Sequence, residues 1–226
     1  EKRAVRGIIA PDALLELEKE CQGKISPVLQ LRLHPGILAL KQELASVRSR
    51  TEVILTYLTP RGAWYPYSWK GNVEQSGGLA TNIGIHLFDL LLWLFGPGEK
   101  SEVHLATPAT MAGCLELERA RVRWLLSLDP GLLPPDQGAF PPDRGTSPAD
   151  RKSFPPPLRS LVIDGREIDF SRGMEDLHLR TYQEILAGRW CGIEEIKPAT
   201  RICHQLRHGA VTPAPSFPHP LLPGRA

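Results

Sequence analysis

Read from its amino end, the chain switches between two hydrophobic periods. Asp12 to Cys21 sets Leu14, Leu15, Leu17 and Cys21 on one side of a helix, with Glu16, Glu18, Lys19 and Glu20 mostly on the other. "SPVLQLRLHP" then changes to period two. Val28, Gln30, Arg32 and His34 alternate with Leu29, Leu31 and Leu33, which predicts a strand with one polar face. Pro35 and Gly36 end it, and Ile37 to Val47 reads as a second amphipathic helix. "TEVILTYLTPRG" is β-branched and aromatic, a strand closed by a Pro/Gly turn, and "AWYPYSWKGN" reads as irregular. "GGLATNIGIHLFDLLLWLFG", residues 77–96, predicts an apolar helix entered sharply at Gly77-Gly78, with Thr81 or Asn82 as its cap. "SEVHLATPATMAGCLELERARVRWLLSLD" predicts two or three strands. The alternation falters between Glu116 and Val122, where a bulge is expected. "RSLVIDGREIDFS" is a hairpin turning at Asp164-Gly165. Asp176 to Ala187 is a helix stopped by Gly188, and a last helix within Ile193–Leu206 is entered near Pro198.

Strands gather in the middle of this order instead of alternating with helices. That pattern predicts an α+β fold, a mostly antiparallel sheet with helices packed on one face. Prolines divide the chain further. Residues 130–157 and the segment from Gly209 hold 14 of the 22 prolines. Residues 1–208 therefore read as one domain with a proline-rich insert at 130–157, followed by a disordered tail at 209–226. At 226 residues and 42% hydrophobic, the chain can bury a substantial core.

A net charge of +2 gives no electrostatic reason to expect nucleic acid or an anionic membrane as partner. Cys21, Cys114, Cys191 and Cys203 form no CxxC pair, so reduced thiols in a cytoplasmic protein and no metal are expected. The longest apolar run, Leu87 to Phe95, is broken by Asp89 and falls short of the roughly 20 residues that span a bilayer.

The apolar helix raises the question of function. Asn82 and His86 are four residues apart and share a face, with Asp89 close to the same stripe. Near a helix N-terminus the backbone favours an anion and disfavours an imidazolium. Spacing alone leaves two readings open: a packed histidine with a capping asparagine, or a binding site. The pair His86 and Asp89 lacks further metal ligands. Gln30, Arg32 and His34 share the polar face of the expected strand, either solvated or facing a polar substrate, and Arg32 could clamp a carboxylate or phosphate. Lys70, Tyr65 and Tyr67 offer donors in a neighbouring loop. There is no GxSxG, P-loop or GxGxxG motif.

The stretches "VLQLRLHP", "SWKGN", "SGGLATNIGIHLFDLLLWLFG", "LELERARVRWLLSLD", "RSLVIDGREIDFSRGMEDLH" and "YQEILAG" occur in this order. Together they resemble the C-terminal domain of the Gfo/Idh/MocA oxidoreductases, and within that superfamily the UDP-N-acetyl-D-glucosaminuronate 3-dehydrogenases of bacterial polysaccharide pathways. The resemblance runs from about Ile25 to Arg207, with a gap over the insert. It implies an open mixed sheet that binds a UDP-linked sugar acid and forms a homo-oligomer through the sheet face, preceded by a Rossmann domain that binds NAD. It also implies roles: His86 as acid/base, Gln30, Arg32, Lys70 and Asn82 as substrate contacts, and Lys2 as a catalytic group beside the cofactor. Glu1 and Lys2 match a Glu-Lys-Pro motif of the family, with Arg3 in place of its proline. The dinucleotide fingerprint would precede Glu1. The expected function is the substrate-binding and catalytic-base half of an NAD-dependent sugar-nucleotide dehydrogenase, inactive alone. The alternative is a non-catalytic binding or assembly module built on the same fold.

Overall fold

A computed structural model describes residues 11–62, 64–132, 157–170, 172–213 and 215–222. Helix α1 spans Pro11–Cys21 and packs on the last helix of the chain. The period-two segment that follows is not a strand. Gln30–Leu33 forms a 3-10 turn, with Arg32 N–H donating to the Leu29 carbonyl and His34 N–H to Leu31. Among the described residues no strand pairs with it, and a turn with three residues per repeat splits the alternating positions. Gln30 and Leu31 are both buried, and His34 directs its ring at the Arg172 carbonyl. The single polar face expected there does not exist.

Helix α2 is Pro35–Leu44, with proline in its first turn, and β1 is Thr51–Leu58. The apolar helix is in three pieces: α3 at Val73–Ser76, α4 at Gly78–Asn82 and α5 at Gly84–Phe95. Gly77 and Gly78 take φ of 78° and 70°, which makes the sharp entry. Neither Thr81 nor Asn82 is the cap. Asn72 caps α3, its side chain accepting from the N–H groups of Glu74 and Gln75. The helical run Val73–Phe95 has 23 residues and the composition to cross a bilayer, which the broken run of leucines does not predict; 61% of its most apolar stretch is buried inside this fold.

Strands β2 (Gly98–Ala106), β3 (Thr110–Leu117) and β4 (Ala120–Ser127) form a meander. The register of β3 with β4 is unbroken, and the faltering alternation marks the turn at Glu118-Arg119; the irregularities lie in β2 instead, at Gly98/Lys100 and Val103/Leu105. Strands β5 (Leu158–Ile163) and β6 (Arg166–Asp169) form the expected hairpin. Asp164 and Gly165 both have positive φ, 47° and 83°, as a type I′ turn requires. Helix α6 is Leu177–Leu186 and α7 is Ile193–His208. Pro198 lies inside α7 and not at its start; the helix opens after Gly192 with Glu194 and Glu195 in its first turn, where acidic groups suit the backbone dipole.

The six strands are ordered β2-β3-β4-β1-β5-β6. Only β1 with β4 is parallel, and the other pairs are antiparallel. The result is the open, mostly antiparallel mixed sheet of an α+β fold. Val53, Leu55, Leu115, Val122, Trp124, Leu126 and Leu161 face the helices and build the main core with Leu87, Phe88, Leu91 and Phe95. The opposite face carries Thr56, Leu58, Ala112, Arg121, Arg123 and Leu125 by strand alternation.

That face holds the segment after Gly209, which the prolines had marked as a disordered tail. Val211 bridges to Val103, Phe217 stacks on Arg121 and Arg123, and Leu221 and Leu222 pack on Leu58, Ala112 and Leu125. His219 is 2% exposed, and its Nε2 lies 3.1 Å from Thr56 Oγ1. Proline removes backbone donors and fixes φ, which is compatible with an extended strap held by side chains.

Candidate functional site

A cavity of about 300 Å³ opens beside the C-terminal end of β1 on the helix-covered side. Tyr57 and Arg61 line it from β1 and the turn beyond, Gln30 from the 3-10 turn, and Lys70 from the aromatic loop. Asn82 and His86 come from either side of the α4/α5 junction, and His178 from α6. Four expected site residues, Gln30, Lys70, Asn82 and His86, thus meet in one place.

Local sequence explains the meeting. Gly84 lets α5 approach the sheet: a Cβ there would fall 2.5 Å from the Phe88 ring and 3.3 Å from Leu126. His86 follows in the first turn. Gly71 folds the loop behind Lys70 tightly, since a Cβ would fall 2.4 Å from the Tyr65 carbonyl. Asn82 Nδ2 donates to Tyr65 Oη at 3.3 Å, tying the aromatic loop to the helix. Arg159 Nε donates to Tyr57 Oη at 3.2 Å.

Burial dominates the electrostatics of His86 and, helped by neighbouring His178, pushes its pKa down to about 4. The ring is neutral near pH 7. Its Nδ1 is buried with no partner among the described residues, and so is Gln30 Oε1. Buried polar atoms are rarely left unpaired. Both residues line the cavity, so a turn of the ring or the amide would present these atoms to a ligand.

Arg32 does not reach the cavity. Its Nη2 and Nε donate to Asp89 Oδ1 and Oδ2 at 2.7 and 2.9 Å, and Nη1 donates to Glu195 Oε2 at 3.0 Å. Burial opposes the guanidinium charge, but Asp89 outweighs it and raises the Arg32 pKa. Burial likewise raises the Asp89 pKa, against the pull of Arg32. Both partners are largely buried, with side chains 12% and 3% exposed. The expected carboxylate clamp is real, and the carboxylate it holds is the protein's own. Lys2 lies outside the described residues.

Sequence reasoning missed Tyr57, Arg61, Met174 and His178. Arg61 had a legible signal, a lone cation in the turn that ends a strand. His178 had none, since only packing of α6 against the 3-10 turn at Gln30–Leu33 brings it in.

This sheet, with a polar cavity at the end of β1, is that of an oxidoreductase domain: residues 50–133 match the profile described as "Oxidoreductase family, C-terminal alpha/beta domain". The chain belongs to the Gfo/Idh/MocA oxidoreductase family. It is 44% identical to the WlbA (WbpB) dehydrogenase from Thermus thermophilus crystallised with NAD and alpha-ketoglutarate, covering 95% of this chain and 67% of that one at a TM-score of 0.82. The same enzyme with NAD and UDP-GlcNAcA gives 45% identity, 94% and 64% coverage and a TM-score of 0.81. The WlbA dehydrogenase from Bordetella pertussis, with NADH and UDP-GlcNAcA, shares the fold at 19% identity, 91% and 67% coverage and a TM-score of 0.62. The chain spans about two thirds of the length of these enzymes.

Proposed function

We propose that this chain is the substrate-binding and catalytic-base part of an NAD-dependent sugar-nucleotide dehydrogenase that oxidises a hydroxyl of a UDP-N-acetylglucosaminuronate-like substrate. The observation that carries this reading is one cavity lined together by His86, Gln30, Asn82, Arg61 and Lys70. A sugar acid brings what that set lacks: hydroxyl donors for the acceptors and negative charge for the cations.

NAD would supply the hydride acceptor. The described residues include no glycine-rich strand–turn–helix to cradle its pyrophosphate, so the residues here speak for the substrate side alone. On that side, neutral imidazole is the form of His86 that can take a hydroxyl proton. An anionic substrate placed against it would favour the imidazolium and raise its low pKa, strengthening the base when substrate is bound. Asn82 and Gln30 would fix the hydroxyls, while Arg61 and Lys70 would hold the carboxylate or diphosphate. Lys2 belongs to the same reading as a second group at the reacting carbon. Self-association through the sheet's outer face belongs to it as well, and would have to incorporate the strap that lies there.

Isothermal titration calorimetry of this chain with UDP-N-acetylglucosaminuronic acid tests the proposal. Binding is expected, weakened about tenfold by Lys70→Ala or Arg61→Ala and retained by His86→Gln. In a form carrying the dinucleotide domain, His86→Gln should lower kcat by roughly 10²–10⁴. Absence of binding, or binding indifferent to Lys70→Ala and Arg61→Ala together, rejects the site. A full-length His86→Gln enzyme with unchanged kcat leaves a binding module with no catalytic histidine.

A further inference from the structure

The outer half of the β2–β3 pair carries chemistry unrelated to the cavity. Antiparallel pairing sets Glu102 opposite Cys114, and the register shift between Val103 and Leu105 brings His104 to the same place. The three ligand-type atoms lie within 4.8 Å of one another. Glu102 Oε2 is 3.4 Å from His104 Nε2 and 3.8 Å from Cys114 Sγ. As hydrogen bonds both contacts are long and weak.

As edges of a coordination tetrahedron they fit better. Zinc bonds of about 2.0–2.2 Å to nitrogen and oxygen and about 2.3 Å to sulfur put tetrahedral ligands roughly 3.4–3.6 Å apart. The other carboxylate oxygen, Oε1, holds Lys100 Nζ at 2.6 Å. Lys100 therefore occupies one oxygen and leaves Oε2 to the histidine and the cysteine, the kind of outer contact that orients a ligating carboxylate. The His104 side chain is 1% exposed, with Nδ1 unpartnered among the described residues, and Cys114 is buried as a free thiol.

We propose that Glu102, His104 and Cys114 form a three-ligand site for a zinc-class divalent cation, with the fourth position left to water. Thiolate and imidazole favour zinc over magnesium or calcium, which prefer all-oxygen shells. On binding, the Cys114 S–H bond breaks, sulfur bonds the cation, and the proton leaves to solvent; no electrons are transferred. Glu102 and Cys114 alternate with core positions and face away from the helices and the His86 cavity. The cation would act as a clamp between β2 and β3, outside the redox chemistry.

The test uses the whole chain, stripped with EDTA under reducing conditions and titrated with Co²⁺. One equivalent should produce a thiolate-to-cobalt charge-transfer band in the near ultraviolet, abolished by Zn²⁺. Cys114→Ser should remove the band, and Glu102→Gln or His104→Gln should weaken Zn²⁺ at least tenfold in competition with a chromophoric chelator. Circular dichroism checks that each variant folds. If Cys114→Ser does not fold, the two glutamine variants decide the matter. No band in the parent protein, a band that survives in folded Cys114→Ser, or zinc affinity unchanged in both glutamine variants overturns the site.

Discussion

Arg32 and Asp89 form a two-pronged ion pair, Nη2 to Oδ1 at 2.7 Å and Nε to Oδ2 at 2.9 Å. Arg32 lies two residues from Gln30 and Asp89 three from His86, so this one pair fixes the distance between two walls of the cavity. Removing one partner of a buried pair strands a charge, at about 3–5 kcal/mol. Arg32→Ala should lower stability by about that much in urea unfolding. Arg32→Met with Asp89→Leu should lose less than either single change, because neither charge remains. If Arg32→Ala instead leaves stability intact and abolishes UDP-sugar binding, Arg32 is a substrate contact after all.

Two buried histidines should make the fold sensitive to acid. Burial, aided by neighbouring positive groups, brings both His86 and His219 down to about 4 from an ordinary value of 6.5. The unfolded chain takes up protons that the folded chain refuses. Their contribution is therefore complete above pH 6.5 and falls away as pH drops toward 4, by up to about 3 kcal/mol for each ring. The urea midpoint followed between pH 7.5 and pH 4 should show this slope, and His219→Gln should flatten it. An unaltered slope in His219→Gln would mean that the ring titrates normally.

Gly84 should resist any side chain. The Phe88 ring that a Cβ would strike is fully buried and packed edge-on to Trp124 at 5.4 Å, so it has nowhere to move. Gly84→Ala should destabilise by about 1–3 kcal/mol through overpacking and displace His86 with it. Gly23→Ala, where nothing lies within 4 Å, is the control and should change thermal stability by no more than about 0.5 kcal/mol.

The strap over the outer face should be part of the folded unit. Ending the chain at Thr212 removes Phe217, His219, Leu221 and Leu222 from the sheet and bares Leu58 and Leu125. A loss of at least about 2 kcal/mol is expected, with new binding of a hydrophobic dye. A truncated chain with an unchanged melting temperature and no dye binding would show that the strap adds nothing.

Sequence alone determined what depends on neighbours along the chain. Alternation located the strands of the sheet, and Asp164-Gly165 set a turn that needs two positive φ angles. The same local signals misled where partners were distant. The period of two around Arg32 has no strand beside it, and a guanidinium that could clamp any carboxylate clamps Asp89, 57 residues away. The prolines after Gly209 gave no sign of the sheet face they cross. Glu102, His104 and Cys114 have no motif spacing, since a strand register and one irregularity bring them together. Period and turn chemistry are properties of a few consecutive residues; which charge, ring or thiol meets which is decided only when the sheet closes and water leaves.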